Sequence, residues 1–272
     1  MTYDAFREGE RRGWGERADV YDDKTARATV QVIPELLAAV RIAPGMRLLD
    51  ICCGPGYAAG AAAALGAKAQ GIDFAPEMVR AAQARFPDLD FAEGDAERLS
   101  AGDGSADVVV CNFGLFHVTH PGQAVREAFR VLRPGGRYAF SQWCAPQESA
   151  VFSILFDAVR THADVTLADP APDAFALSDR TKARTLMAEA GFEDIELREV
   201  SGVLRAPTTR FFDFSMKFGV RIPLILARQS AEVRHRIRET IERNVQNYHV
   251  GGEIHMPMPS IVVSGRKPET PQ

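Results

Sequence analysis

Cysteine is scarce in this chain. There are 4, at Cys52, Cys53, Cys111 and Cys144. None forms a Cys-x-x-Cys pair, and no cysteine–histidine cluster has zinc spacing. A disulfide scaffold is excluded, no metal site is expected, and the thiols read as reduced in a cytoplasmic protein. A large excess of one charge is also missing. Lys plus Arg number 32 and Asp plus Glu 36, for a formal net charge of −4. That makes a poor partner for nucleic acid or an anionic membrane. No apolar run approaches the ~18 residues that a membrane helix needs. The longest, Tyr57 to Leu65, is mostly alanine. The N-terminus mixes Asp4, Arg7, Glu8, Glu10 and Arg11 before any apolar stretch, unlike a secretory signal. There is no internal repeat and no low-complexity tract.

What is present is an ordinary globular composition: 272 residues, 46% hydrophobic and 25% charged. The first 44 residues read as a helical cap, with Val30, Ile33, Leu37 and Val40 on one stripe. From Met46 short apolar runs alternate with helical stretches. Strands are expected at 46–51, 68–73, 89–92, 106–112 and 137–143, with helices at 57–65, 76–86 and 123–132. The unbroken valines of Ala106–Asn112 suggest burial on both faces. Such alternation implies a parallel sheet covered by helices on both sides. Further on, helices are expected at 179–190, 209–222 (ended or kinked by Pro223) and after Ser230, with strands at 195–200 and 260–264. The polar tail from Lys267 should fray.

The informative segment is Asp50-Ile51-Cys52-Cys53-Gly54-Pro55-Gly56-Tyr57: a strand end, a glycine turn, then a helix. Nucleotide-like ligands bind at this place in a parallel sheet. Glycine lets the backbone approach a ligand, and Asp50 can fix the turn or meet a cationic group. Asp73 ends the second strand, where a carboxylate can accept from ribose hydroxyls. Asp95 follows the third, within reach of an adenine amino group. Each aspartate alone could be turn chemistry; three at successive strand ends point to a nucleoside.

Asp50–Gly56, Gly71-Ile72-Asp73-Phe74-Ala75-Pro76-Glu77-Met78, Gly94-Asp95-Ala96 and Leu132-Arg133-Pro134-Gly135-Gly136 stand in order and at family spacing. Together they resemble the class I S-adenosylmethionine (SAM)-dependent methyltransferases, of the small-molecule type that includes quinone-biosynthesis C-methyltransferases. The resemblance implies an α/β, Rossmann-like, doubly wound sheet of seven mainly parallel strands with the last antiparallel. Residues 1–44 would be the cap, 45–201 and 259–267 the core, and 202–258 a helical lid over the substrate. It implies SAM as cofactor, S-adenosylhomocysteine (SAH) as product, and a small, apolar or aromatic methyl acceptor at O, N or C. It further implies Asp73 on the ribose, Asp95 on the adenine, and Phe74, Met78 and Ala96 along the adenine slot. Asn112 and Phe113 would sit near the methionine part. Tyr21 resembles a tyrosine that closes over SAM, or is a core tyrosine. One departure stands out: Cys52 replaces the first glycine of the acidic-x-Gly-x-Gly-x-Gly pattern.

His117, just after the fourth strand, is the candidate base, since imidazole suits proton removal near neutrality; the alternative is a histidine that shapes the loop or touches SAM without moving protons. His249 and His255 are weaker candidates. Phe211, Phe214 and Phe218 form either core or an apolar pocket wall, and Arg234, Arg236 and Arg238 a solvated face. Two alternatives remain: a SAM-binding enzyme that catalyses a cyclisation or rearrangement, and a nicotinamide oxidoreductase. Gly54, Gly56 and Gly60 fit the second, but no Tyr-x-x-x-Lys pair follows the fourth strand. A homodimer is left open.

Overall fold

The computed structural model describes residues 3–269. Two helical stretches come first. Helix α1 (Asp4–Gly15) is followed by α2 (Ala26–Thr29), which runs through a tight turn into α3 (Ile33–Ala39). The alternating core then follows: β1 (Arg47–Ile51), α4 (Tyr57–Ala64), β2 (Lys68–Asp73), α5 (Pro76–Arg85), β3 (Asp90–Glu93), β4 (Ala106–Cys111), α6 (Pro121–Val131) and β5 (Leu132–Trp143). After β5 come α7 (Ala150–His162), α8 (Arg180–Glu189) and β6 (Glu193–Val200). The insertion holds β7 (Val203–Pro207), α9 (Phe211–Phe218), α10 (Arg221–Ala227), α11 (Ala231–Asn244), β8 (His249–Val250) and β9 (Glu253–Pro257), before β10 (Ser260–Arg266) closes the sheet.

The seven-stranded sheet has the order β3-β2-β1-β4-β5-β10-β6. Strands β1 to β5 pair in parallel, and β10 runs antiparallel to both β5 and β6. Alternate residues of one strand serve opposite layers, as the pleat requires. Val108 and Val110 pack into the layer with α3 and α4, while Val109 and Cys111 pack into the layer with α6 and α8. All four are buried. This is the physical content of the continuous valine run. The strand order reverses between β1 and β4, so a crevice opens at their carboxyl ends.

Several expectations need correction. Residues 209–222 are not one helix. The chain breaks at Gly219, and Pro223 lies in the first turn of α10, where a missing N–H costs nothing. The insertion is not helical throughout, because β7, β9 and β8 form a separate antiparallel sheet. Its alternation was there to read in Leu204/Ala206 and Ile254/Met256, all buried, but the strands are short and poor in β-branched residues. Lys267 does not fray. Its Nζ donates to the carbonyls of Phe129 (2.8 Å) and Leu132 (2.7 Å). The rest of that expectation, at 270–272, lies outside the described residues. Among the described residues, no helix is long and apolar enough to cross a membrane.

The N-terminal cap and the insertion hold each other across the crevice. The buried Arg17 guanidinium donates to the carbonyls of Gly13 (2.7 Å), Met216 (3.0 Å) and Gly219 (3.0 Å). Thr25 Oγ1 donates to Phe218 O at 2.7 Å. The bonds to Met216, Phe218 and Gly219 satisfy carbonyls at the C-terminal end of α9, where no helical partner exists.

Candidate functional site

One deep cavity lies at the carboxyl ends of the parallel strands, between sheet, cap and insertion. At its floor the turn after β1 carries Cys52 and Gly54, both with left-handed φ (55° and 53°). A side chain at 54 would meet nothing within 4 Å, so the backbone there faces open space. Asp73 stands beside it, buried. Its two oxygens accept from Gly54 N (2.8 Å) and Ala75 N (2.9 Å), which leaves lone pairs on both. Burial raises its pKa to about 6, against the pull of those two N–H groups. Asp95, Phe74, Met78 and Ala96 line the same end. Asp95 also accepts from Arg7 of α1 at 2.7 Å, so the cap reaches over this end of the cavity.

Asp50 and Gly56 do not line the cavity. Asp50 is buried behind the turn, where one oxygen accepts from Ala59 N (3.1 Å) and the other has no partner. Burial raises its pKa to about 8. Gly56, at φ 80°, caps the N-terminus of α4. Both residues shape the turn from behind.

The end of β4 builds the middle of the cavity. Ser141 Oγ accepts from Phe113 N (2.8 Å) and donates to Asn112 Oδ1 (2.7 Å), and Asn112 Nδ2 donates to Thr29 O (3.2 Å). This network holds Phe113 at φ 56°, an unfavourable conformation for a bulky residue. Its ring then stacks on Trp143, with centroids 3.7 Å apart and planes 16° from parallel. Tyr21 lines the cavity with its ring stacked towards Tyr57 (6.3 Å) and its hydroxyl 3.4 Å from Thr29 Oγ1.

His117 closes a single turn after β4. Its Nδ1 lies 2.8 Å from Oε2 of Glu10, a glutamate of α1 that is only 1% exposed. A carboxylate can only accept, so Nδ1 carries a proton, and in the neutral imidazole the lone pair is on Nε2. Trp14 packs edge-on against the imidazole at 4.9 Å. Sequence reasoning missed Glu10. A signal existed: Phe6, Gly9, Glu10 and Gly13 form the buried stripe of α1, and a glutamate on such a stripe needs a partner.

Beyond His117 the cavity turns aromatic. Phe152 and Phe156 of α7 and Phe175 of the following loop pack edge to face, with centroids 5.1–5.5 Å apart for the contacts to Phe175. Trp143 continues this wall. Sequence reasoning assigned no element to the stretch before Asp179, so this wall was missed too. Of the Phe211, Phe214 and Phe218 stripe only Phe218 lines the cavity; the other two are core. His249 is exposed on β8 and His255 lies beside Glu253 on β9, so neither reaches the site. Arg234, Arg236 and Arg238 are exposed on α11. Among the described residues, no group of three or more metal-ligating side chains comes together.

Comparison with known proteins follows the same lines. A family profile described as "Methyltransferase domain" matches residues 49–140. A demethylmenaquinone methyltransferase of Renibacterium salmoninarum is 30% identical over 178 residues, covering 62% of this chain and 75% of the relative. The chain belongs to the class I SAM-dependent methyltransferases. A ubiquinone biosynthesis O-methyltransferase of Albidiferax ferrireducens is 38% identical over 117 residues, covering 41% of this chain and 46% of that one. A crystal structure from Bacillus halodurans, assigned as a methyltransferase, superposes with a TM-score of 0.58 at 21% identity, over 87% of this chain and 98% of the other. As a methyltransferase of this class the protein uses SAM, and the cavity suits it. The floor is open at Gly54, Asp73 has free lone pairs, and the strand order reverses there.

Proposed function

We propose that this methyltransferase acts on a small, flat aromatic acceptor of the quinol or phenol type, releasing SAH. The observation that carries this reading is the aromatic chamber of Trp143, Phe152, Phe156 and Phe175, which is continuous with the nucleoside end of the cavity. Such walls bury a planar ring and leave few places to hydrate it. Two relatives of this chain are named for quinones, a demethylmenaquinone and ubiquinone biosynthesis, which agrees.

In this reading Asp73 accepts from the ribose hydroxyls and Asp95 takes the adenine edge. Phe74, Met78 and Ala96 flank the base, while Cys52, Gly54, Asn112, Phe113 and Tyr21 surround the methionine part. Bound there, SAM supplies a methyl group that is already electrophilic. The chain's own work is alignment, exclusion of water and removal of one proton. His117 Nε2 takes that proton from the acceptor hydroxyl, and Glu10 holds the imidazole in the tautomer that can do so. Glu10 also stabilises the imidazolium that results.

The test is SAH release from SAM with 1,4-dihydroxynaphthalene, a catechol and a primary alkylamine as acceptors. Turnover with either ring compound and none with the amine is expected. Turnover with the amine alone would overturn the aromatic reading.

A further inference from the structure

The cavity is lined by two arginines, Arg7 and Arg221. Arg7 is paired with Asp95 at 2.7 Å. Arg221 has no carboxylate within 4 Å among the described residues. Its one hydrogen bond is a long one, from Nη2 to the carbonyl of Asp169 at 3.3 Å. The acids that might have served it are engaged elsewhere. The Asp169 carboxylate takes Arg228 at 3.0 Å, and Glu10 is bonded to His117. Arg221 opens α10, next to Ile222 and Pro223, which line the same chamber as Phe156 and Phe175.

A guanidinium has five N–H donors and is poorly tolerated away from water without an anion. Here burial pulls its pKa down, the sign of a cation short of compensation. Arg221 is half-buried, and the buried Arg17 shows the contrast: it spends its donors on three carbonyls and does not line this cavity. Arg221 keeps donors free, and the space in front of it is the space for the acceptor.

We propose that Arg221 is a specificity residue that receives a carboxylate carried on the aromatic acceptor. The acceptor class is then an aromatic acid, with its ring between the phenylalanines and its carboxylate on the guanidinium fork. The proposal rests on the reading that the aromatic chamber holds the acceptor. A carboxylate also exists on the methionine part of SAM, so the test has to separate the two sources.

Calorimetry on the SAH-loaded and the cofactor-free protein would use 6-hydroxy-2-naphthoate and its neutral partner 6-hydroxy-2-naphthamide. Wild type should bind the acid at least tenfold tighter than the amide. Arg221→Gln should abolish that preference by weakening the acid alone, and Arg221→Lys should restore part of it. SAH and 5′-methylthioadenosine, which lacks the carboxylate, should bind wild type and R221Q alike. The same acid preference in R221Q as in wild type, or no binding of either naphthalene to wild type, would overturn the proposal. So would a loss in R221Q of SAH affinity but not of 5′-methylthioadenosine affinity, which would give Arg221 to the cofactor. Failure of SAH to bind wild type, with the acid preference intact, would support the proposal and count against the cofactor assignment alone.

Discussion

Cys52 keeps its side chain because Gly114 has none. A Cβ at position 114 would lie 2.4 Å from Cβ of Cys52 and 2.7 Å from Sγ of Cys111. The departure from the usual glycine pattern in the first turn is thus matched by a glycine on the loop after β4. Cys52 holds a left-handed φ of 55°, which costs a non-glycine residue roughly 1–2 kcal/mol.

Gly114→Ala should therefore destabilise the protein by about 1–3 kcal/mol through overpacking. In a Cys52→Gly background the same change should cost at least about 1 kcal/mol less, a coupling that a double-mutant cycle reads directly. Denaturant melts of the four proteins check it. Equal costs in both backgrounds would show that Cys111 alone sets the limit.

How much of this was legible in the sequence depends on the kind of signal. The nucleoside end follows local rules. A strand, a glycine turn and an aspartate at each successive strand end were readable because Asp50, Asp73 and Asp95 sit at fixed places relative to their strands. The acceptor end follows no local rule. Glu10 meets His117 across 107 positions and Arg17 meets Met216 across 199, and only the packing of the cap on the core and on the insertion brings them together. Phe152, Phe156 and Phe175 carry no sequence pattern that separates a cavity wall from core packing.

Asp50 should govern a pH-dependent part of the stability. Burial lifts its pKa to about 8, above the ordinary carboxylate value of 3.8. The folded state therefore binds this proton more tightly than the unfolded state. Its contribution is full below about pH 4 and is lost as the pH rises towards about 8. Asp50→Asn removes the ionisation and can keep the bond from Ala59 N. The stability of D50N relative to wild type should thus climb between pH 4 and pH 8. A difference that stays flat over that range would show that Asp50 remains ionised throughout.

Asp73 should give cofactor binding a pH dependence of opposite sense. Its carboxyl holds a proton up to about pH 6 in the free protein. Ribose hydroxyls that donate to it favour the ionised form, so binding has to expel that proton at lower pH. The Kd for SAH should be level above about pH 6 and weaken as the pH falls below it, by up to about tenfold per unit. Asp73→Asn should bind more weakly at pH 7 and lose the dependence. Calorimetry from pH 5 to pH 8 decides it, and a wild-type Kd independent of pH would remove Asp73 from the ribose.

His117 and Glu10 should act as a unit. A positioned base is worth typically 10²–10⁴ in rate, so His117→Gln should lower kcat for a phenolic acceptor by about a hundredfold or more. Glutamine can still bond to Glu10, which avoids stranding a buried carboxylate without a partner. Glu10→Gln keeps the shape but lets the imidazole choose its tautomer, and should cost about 10–100-fold, as the loss of an orienting partner does elsewhere. The two losses should not add, because without His117 there is nothing left for Glu10 to orient. SAH affinity should stay within about threefold of wild type in both, since neither side chain is assigned to the cofactor. In E10Q the pH–rate profile should also shift, which a purely structural role would not produce. Full activity in H117Q would mean that the acceptor needs no base, and losses that multiply in the double variant would mean that Glu10 works through some other group.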